Sequence, residues 1–135
     1  MSEVLERDYL KVLNSVQKAN GYEIVELGEN SSQVKLSLEN AQTIDDSKTV
    51  FEAEIYKCAS FTAIVSVNEP DSFIINSNVD FLSQIELNQK EIIFEAKALS
   101  SSQGKNFIEV VGKINDISVF VGSFTVLRLD NRSKV

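Results

Sequence analysis

Apolar positions recur at intervals of three and four along the first twenty residues, with polar side chains between them. The apolar positions are Leu5, Tyr9, Val12, Leu13 and Val16. This spacing is typical of an amphipathic helix, and Asn20-Gly21 is a favourable place for such a helix to end. The pattern therefore predicts an N-terminal helix over residues 1–20.

Two short runs rich in large apolar residues follow this helix, at residues 22–27 and 33–38. The second run alternates apolar and polar positions, and a polar turn at residues 28–32 separates the two. Both runs are predicted to be β-strands. The polar segment 39–48 is predicted to be a loop.

The segment 50–68 carries apolar side chains on nearly every face, which predicts a helix surrounded by other elements. Thr49 and Glu52 have the spacing of a capping box, in which each side chain accepts a hydrogen bond from the other residue's backbone amide. Pro70 and Asp71 mark the end of this central helix.

Strands dominate the second half of the chain, separated by polar turns at residues 100–104 and 115–116. Such short connections require antiparallel neighbours, so the last three strands should form a meander. The pattern predicts strands over residues 72–82, 91–99, 106–114 and 117–129, and a polar tail over residues 130–135. We therefore expect an α+β fold, in which an antiparallel twisted sheet wraps around the long central helix.

Alternation in the strand at residues 72–82 assigns its side chains to two faces. The apolar side carries Phe73, Ile75, Val79 and Phe81. The polar side carries Asn76, Asn78 and Asp80. This polar row fits either a solvated sheet face or an interface.

Composition narrows the chemistry, because the 135 residues, which fit a single domain, include no histidine. This excludes a Ser-His-Asp or Cys-His nucleophile system and any zinc site with a histidine ligand. The single cysteine, Cys58, cannot form an internal disulfide, and its apolar neighbours predict an inert core thiol. We expect no metal and no tightly bound cofactor.

Charge and hydropathy also bear on partners and location. The net charge of -7 disfavours nucleic acid and anionic lipid as partners. The start of the chain lacks a signal-peptide pattern, and no apolar run reaches the roughly 18 residues of a membrane span. We therefore expect a cytoplasmic protein.

Residues 48–60, Lys-Thr-Val-Phe-Glu-Ala-Glu-Ile-Tyr-Lys-Cys-Ala-Ser, resemble the start of the long helix in hotdog-fold acyl-CoA thioesterases. Residues 77–83 resemble the strand that follows it in that family. Residues 91–99, 107–112 and 119–125 resemble its closing meander. The likeness covers roughly residues 20–129 and lies in the order and spacing of the elements.

This resemblance implies a homodimer paired through the strand at residues 72–82, with an acyl-CoA or CoA ligand between subunits near the start of the central helix. Many family members begin this helix with His-Gly-Gly and carry an Asp or Glu about nine positions later. Here Phe51-Glu52-Ala53 takes the first place and Ser60 the second, so neither motif matches. The small side chains of Ala53 and Ser60 would leave room for the ligand.

Two acids and several cations complete the candidate site. Glu52 and Glu54 fall in the first helical turn, where a carboxylate could act as a general base on water, although the helix dipole also favours acids there. Phosphates of CoA would need cations, for which the candidates are Lys97, Lys105, Lys113 and Arg128. The predicted ligand-binding residues are Phe51, Glu52, Ala53, Ser60, Asn76, Asn78, Lys97 and Lys105.

Three functions remain open. The missing catalytic residues favour a non-catalytic, acyl-CoA- or fatty-acyl-binding protein that acts as a sensor, regulator or scaffold. Non-catalytic hotdog members include a regulator of lipid synthesis and a flagella-coregulated virulence protein of bacteria. The alternative is a thioesterase that uses Glu52 or Glu54, and the third hypothesis is a ligand-free dimeric interaction module.

Overall fold

A computed structural model describes residues 9–129 of the chain. The elements are α1 (Asn14–Asn20), β1 (Glu23–Gly28), β2 (Ser31–Ser37), α2 (Glu52–Val67), β3 (Ser72–Phe81), β4 (Glu91–Ser102), β5 (Lys105–Ile114) and β6 (Ile117–Arg128). A 3₁₀ turn, Leu87–Gln89, precedes β4. The predicted tail at residues 130–135 lies outside the described residues.

The six strands form one sheet in the order β1-β2-β4-β5-β6-β3, and every neighbouring pair is antiparallel. The predicted meander of the last three strands is confirmed. Its two hairpin turns, Gln103-Gly104 and Asn115-Asp116, place both central residues at positive φ, as two-residue turns between twisted strands require. β3 returns to pair with β6 and forms one edge of the sheet.

α2 packs on the inner face of the sheet, which confirms the predicted α+β architecture. Half of its 16 residues are buried. Two of the buried residues are polar, and both bond to helix carbonyls: Thr62 Oγ1 donates to Cys58 O at 2.7 Å and Ser66 Oγ to Ala63 O at 2.6 Å. Because these hydroxyls are satisfied inside the helix, polar residues do not prevent its burial.

The start of α2 differs from the prediction. The first residue before the helix is Phe51, which makes no side-chain capping bond, so the capping box of Thr49 and Glu52 is wrong. Thr49 instead forms a β-bridge with Glu86. The adjacent amide of Val50 donates to a carbonyl of the same passing segment. This pairing keeps the backbone extended at residues 49–50, so the helix begins only at Glu52.

The first helix is shorter than predicted. α1 begins at Asn14, because Leu13 adopts a left-handed backbone conformation with φ of 57°. Buried Asn68 holds the preceding segment: its Oδ1 accepts from Lys11 N at 2.8 Å and its Nδ2 donates to Tyr9 O at 2.7 Å. These bonds fix a non-helical path for residues 9–11. The predicted helix over residues 1–8 lies outside the described residues.

β3 breaks the alternation predicted for it. The pairing with β6 shifts register between Ile74 and Asn76, so Ile75 forms a bulge. After the bulge, Val79 and Phe81 point to the same side, as predicted: Val79 packs on the core, and Phe81 is 39% exposed with its ring centre 5.4 Å from that of buried Phe120. Before it, Phe73 is reversed and exposed, so its predicted place beside Val79 is wrong.

Candidate functional site

The candidate site begins at the first turn of α2, where Phe51, Glu52 and Ala53 are exposed and Glu54 is half-buried. One stripe of the helix continues from this turn without full cover by the sheet. The stripe consists of Ala53, Lys57, Ser60, Ile64 and Val67. Among residues 9–129, other elements therefore cover most of α2, as predicted, but they leave this stripe partly open.

The end of β3 lies beside the start of α2. The Tyr56 hydroxyl lies 2.9 Å from Ser77 Oγ, and β3 follows α2 after a short turn, so the two elements run antiparallel. Residues before Tyr56 therefore lie alongside residues after Ser77. This arrangement brings Phe51 to the same end of the fold as Phe81 and Leu82, and all three side chains are more than a third exposed.

β3 also carries exposed apolar side chains at its other end, where Phe73 is 44% and Ile75 43% exposed. The strand has one neighbour, β6, among the described residues, so its second edge is unpaired. An edge with large apolar side chains is a ready template for pairing with another chain. The predicted edge position of this strand is thus present in the structure.

The two positions that the resemblance assigns to catalytic groups, Phe51 and Ser60, can be located in the structure. Phe51, which the sequence resemblance assigns to that family's histidine position, makes no side-chain capping bond. Ser60 Oγ donates to the carbonyl of Lys57 at 2.8 Å, a bond within its own helix. Within residues 9–129, no group of three or more potential metal-ligating side chains is assembled.

Asn76 and Asn78 lie on the opposite face of the sheet from α2. Ser77 faces the helix through its contact with Tyr56, and neighbours along a strand point to opposite sides. Both asparagines are exposed. Within one chain, the structure therefore does not bring them together with Phe51 and Ala53.

The two predicted cationic ligands, Lys97 and Lys105, are also separated from the start of α2. Lys97 lies on β4 in a surface groove that it shares with three carboxylates, those of Glu26, Glu95 and Glu109, which is unfavourable for a phosphate. Lys105 pairs with Leu127, which in turn pairs with Phe73 at the beginning of β3. Lys105 thus belongs to the far end of the sheet.

The other two candidate cations, Lys113 and Arg128, each lie near an acidic side chain. Lys113 Nζ lies 3.8 Å from Glu95 Oε1, and Arg128 Nη1 lies 3.9 Å from Glu69 Oε2. Cys58 is a free, buried thiol, as predicted, and burial raises its pKa while a hydrogen bond with Thr62 opposes the shift. A thiol held in its protonated form is a poor nucleophile.

A residue that the sequence did not single out, Tyr22, lies on the other side of the α2 start. It is 2% exposed, and its ring packs on that of Phe61 at 4.9 Å. Its hydroxyl is buried and finds no hydrogen-bond partner among residues 9–129. Burial raises the pKa of Tyr22, and the nearby Cys58 and Glu54 raise it further. Its position at the start of a predicted strand gave no signal of this environment.

No protein-family model matches the chain. Among curated proteins, the chain is similar to the methylthioribose-1-phosphate isomerase of Aquifex aeolicus, with 27% identity over 107 residues. This match covers 78% of the chain and 23% of the isomerase, so the chain spans about a quarter of the length of that relative.

Solved structures match most of the chain. A homologue of HP0420 from Helicobacter felis superposes with a TM-score of 0.80 and 29% identity, over 89% of this chain and 98% of that one. Cj0977, a sigma28-regulated virulence protein from Campylobacter jejuni, gives a TM-score of 0.77 and 28% identity, over 84% and 80%. A hypothetical thioesterase from Streptococcus pneumoniae, solved with coenzyme A, superposes with a TM-score of 0.69 and 12% identity, over 78% of this chain and 84% of that one. This is a likeness of fold alone.

Proposed function

We propose that this protein, a member of the hotdog-fold superfamily of thioesterase-like proteins, binds an acyl-CoA or fatty-acyl ligand between two copies of the chain without hydrolysing it efficiently. It would act as a sensor, regulator or scaffold. One observation carries the proposal: Phe51 and Ala53 at the start of α2, and Phe81 and Leu82 at and just after the end of β3, are exposed apolar residues at the same end of the fold, which we take as one surface.

Pairing of β3 with β3 of a second copy would cover this surface. It would satisfy the unpaired strand edge and shelter Phe73 and Ile75, which β6 does not cover. A two-fold axis at this edge would also bring each α2 start close to residues of the other chain. Edge-to-edge pairing keeps the two faces of the sheet separate, so Asn76 and Asn78 would stay on the face away from α2 in the dimer and outside the proposed ligand site.

Two residues near the α2 start support the proposal that hydrolysis is inefficient. Ser60 has no adjacent base among the described residues, and its hydroxyl is already bonded to Lys57 O. Phe51 offers no group that could donate or accept a proton. A site in which neither Phe51 nor Ser60 can transfer a proton would favour retention of a thioester rather than its cleavage, unless Glu52 or Glu54 takes that role.

A thioesterase that uses Glu52 or Glu54 as its general base is the second candidate, because both acids lie in the first turn of α2. Glu52 is exposed there and Glu54 is half-buried. A general base works best where its surroundings orient it and limit competing water.

Assembly can be tested with two matched variants. Ile75 on β3 and Ile117 at the start of β6 are both exposed isoleucines in strands, and only Ile75 lies on the proposed interface. We expect Ile75→Lys to shift the wild-type dimer towards monomer in light scattering, and Ile117→Lys to leave it intact. A wild-type protein that is monomeric at micromolar concentration would contradict the two-chain site.

Binding and hydrolysis can be separated with a series of acyl-CoA esters of increasing chain length. We expect several esters to raise the melting temperature of the wild type and to remain uncleaved during prolonged incubation. Turnover by the wild type that disappears in Glu52→Gln or Glu54→Gln would establish the thioesterase instead. If no ester shifts the melting temperature, the protein is a ligand-free interaction module.

A further inference from the structure

The hydroxyl groups of Tyr56 and Ser77 form a side-chain hydrogen bond that joins α2 to β3, with 2.9 Å between the two oxygens. Both side chains are half-buried, so each residue remains partly accessible. The centre of the Tyr56 ring lies 5.9 Å from that of Phe124, which pairs with Ser77 across β3 and β6. The hydroxyl pair therefore has a defined position in the angle between the helix and the edge strand.

This pair lies at the inner end of the apolar surface proposed above. Ala53 precedes Tyr56 by three residues, which places both on the same face of α2. Ser77 and Phe81 are four residues apart in a regular part of β3 and point to the same side of the strand. Beyond Phe81, the chain turns back and pairs with residues 49–50, just before the helix. A ligand that covers Ala53 and Phe81 would therefore reach both hydroxyls.

The pair carries one more proton than its own hydrogen bond uses. A hydroxyl has one donor and two acceptor sites, so a bond between two hydroxyls leaves one O–H group free. Among residues 9–129, neither the Tyr56 nor the Ser77 hydroxyl has another hydrogen-bond partner. The pair can therefore donate one hydrogen bond to a ligand without losing the bond that joins the two elements.

The charges around the pair select the acceptor. The neighbours of Tyr56 on the helix surface, three and four residues away in each direction, are Glu52, Ala53, Ala59 and Ser60. The charged residue among them is the acid Glu52, which disfavours a carboxylate or a phosphate at this point. On β3, Val79 and Phe81 share the side of Ser77 and are uncharged. An uncharged carbonyl oxygen accepts a hydrogen bond and avoids this repulsion.

We propose that Tyr56 and Ser77 together bind the thioester carbonyl oxygen of an acyl-CoA ligand, with one hydroxyl donating to the other and the second donating to the ligand. The inference rests on the proposed function, since it takes an acyl ligand to cover the apolar surface. It narrows that ligand to one with an uncharged carbonyl, because Glu52 would repel a free carboxylate. The two hydroxyls hold the carbonyl and take no proton from water, so binding by them does not imply hydrolysis.

Octanoyl-CoA and S-octyl-CoA test the proposal, because they differ only in whether a carbonyl or a methylene group follows the sulfur. In titration calorimetry, the wild-type chain should bind octanoyl-CoA about three- to tenfold more tightly, which is the value of one hydrogen bond between neutral groups. The double variant Tyr56→Phe/Ser77→Ala removes both hydroxyls and should bind the two compounds equally. Tyr9→Phe changes an exposed tyrosine near the other end of α2 and should keep the wild-type ratio.

Two single variants at the strand edge provide a smaller perturbation of the fold. Ser77→Ala should lower the ratio of the two affinities part of the way, and Ser77→Thr, which keeps a hydroxyl, should preserve it. If the hydroxyls served only to join α2 to β3, the double variant would lose affinity for both compounds by the same factor, and this result overturns the proposal. Equal wild-type affinities for the two compounds also overturn it but leave the proposed function standing. If neither compound binds the wild type, the proposed function fails and this inference fails with it.

Discussion

Replacement of Gly112 by alanine should destabilise the core beneath α2. Phe94, Gly112 and Phe120 are paired across β4, β5 and β6, and the two phenylalanine rings meet edge-on at 5.8 Å. A Cβ at position 112 would lie 2.7 Å and 3.0 Å from two ring carbons of Phe94, and 3.3 Å from Ile92 Cγ2. Ordinary carbon contacts are about 3.5–4.0 Å, so the ring would have to shift by roughly 1 Å.

Phe94 and Phe120 are completely buried, so this shift would propagate into neighbouring core side chains. Overpacking of this kind costs about 1–3 kcal/mol of unfolding free energy. For a domain of this size, the melting temperature of Gly112→Ala should fall by about 3–12 °C. Urea titration of the same variant should show a lower midpoint with an unchanged slope.

Gly28→Ala is the matched control, because its Cβ would meet only the Ser31 hydroxyl, at 3.0 Å, near the sheet edge. That side chain can rotate away, so we expect a change within about 0.5 kcal/mol. In the Gly112→Ala background, Phe94→Leu should recover part of the lost stability by vacating the contact. If Gly112→Ala is as stable as Gly28→Ala, the tight ring packing inferred at this position is wrong.

Three further predictions concern buried polar groups. Asn68→Asp replaces the amide that donates to Tyr9 O with a carboxylate, so the free energy of unfolding measured by urea titration should fall by about 1–3 kcal/mol. An unchanged urea midpoint would mean that the hydrogen bonds from Asn68 to residues 9–11 contribute nothing to stability. Tyr22→Phe should raise the melting temperature of the ligand-free protein, since it removes a hydroxyl without a partner, and a lower value would show that the hydroxyl is bonded. Burial raises the pKa of Cys58 above its ordinary value of 9.0. As the pH rises above about 9, the unfolded chain therefore loses this proton before the folded protein does, and the free energy of unfolding should fall. Cys58→Ala should flatten that part of the plot of stability against pH.

Local patterns predicted most of the fold because they record which face of each element is buried. The central helix, the strand order along the chain and the hairpin at Asn115-Asp116 all follow from side-chain periodicity and turn chemistry. The bulge at Ile75 does not, because Phe73 and Ile75 are as apolar as Val79. Only the register of the pairing with β6 reveals the break.

Contacts between distant segments account for the other differences. Thr49 and Glu52 satisfy the spacing of a capping box, but the β-bridge to Glu86 keeps Thr49 outside the helix. Similarly, the apolar spacing through Val12 and Leu13 is helical, whereas Asn68 bonds the backbone just before them into another path. In both cases a tertiary hydrogen bond outweighs a local preference of comparable strength.

The first turn of α2 separates two acids that the sequence treats as equivalent. Glu52 is exposed, whereas Glu54 is half-buried. Residues two apart on a helix point in nearly opposite directions, so the two carboxylates would approach a ligand at the α2 start from different sides. Glu52→Gln and Glu54→Gln should therefore be measured separately, because one carboxylate at most would be oriented on the water that attacks a thioester. A combined variant would conceal which of the two acids acts on that water.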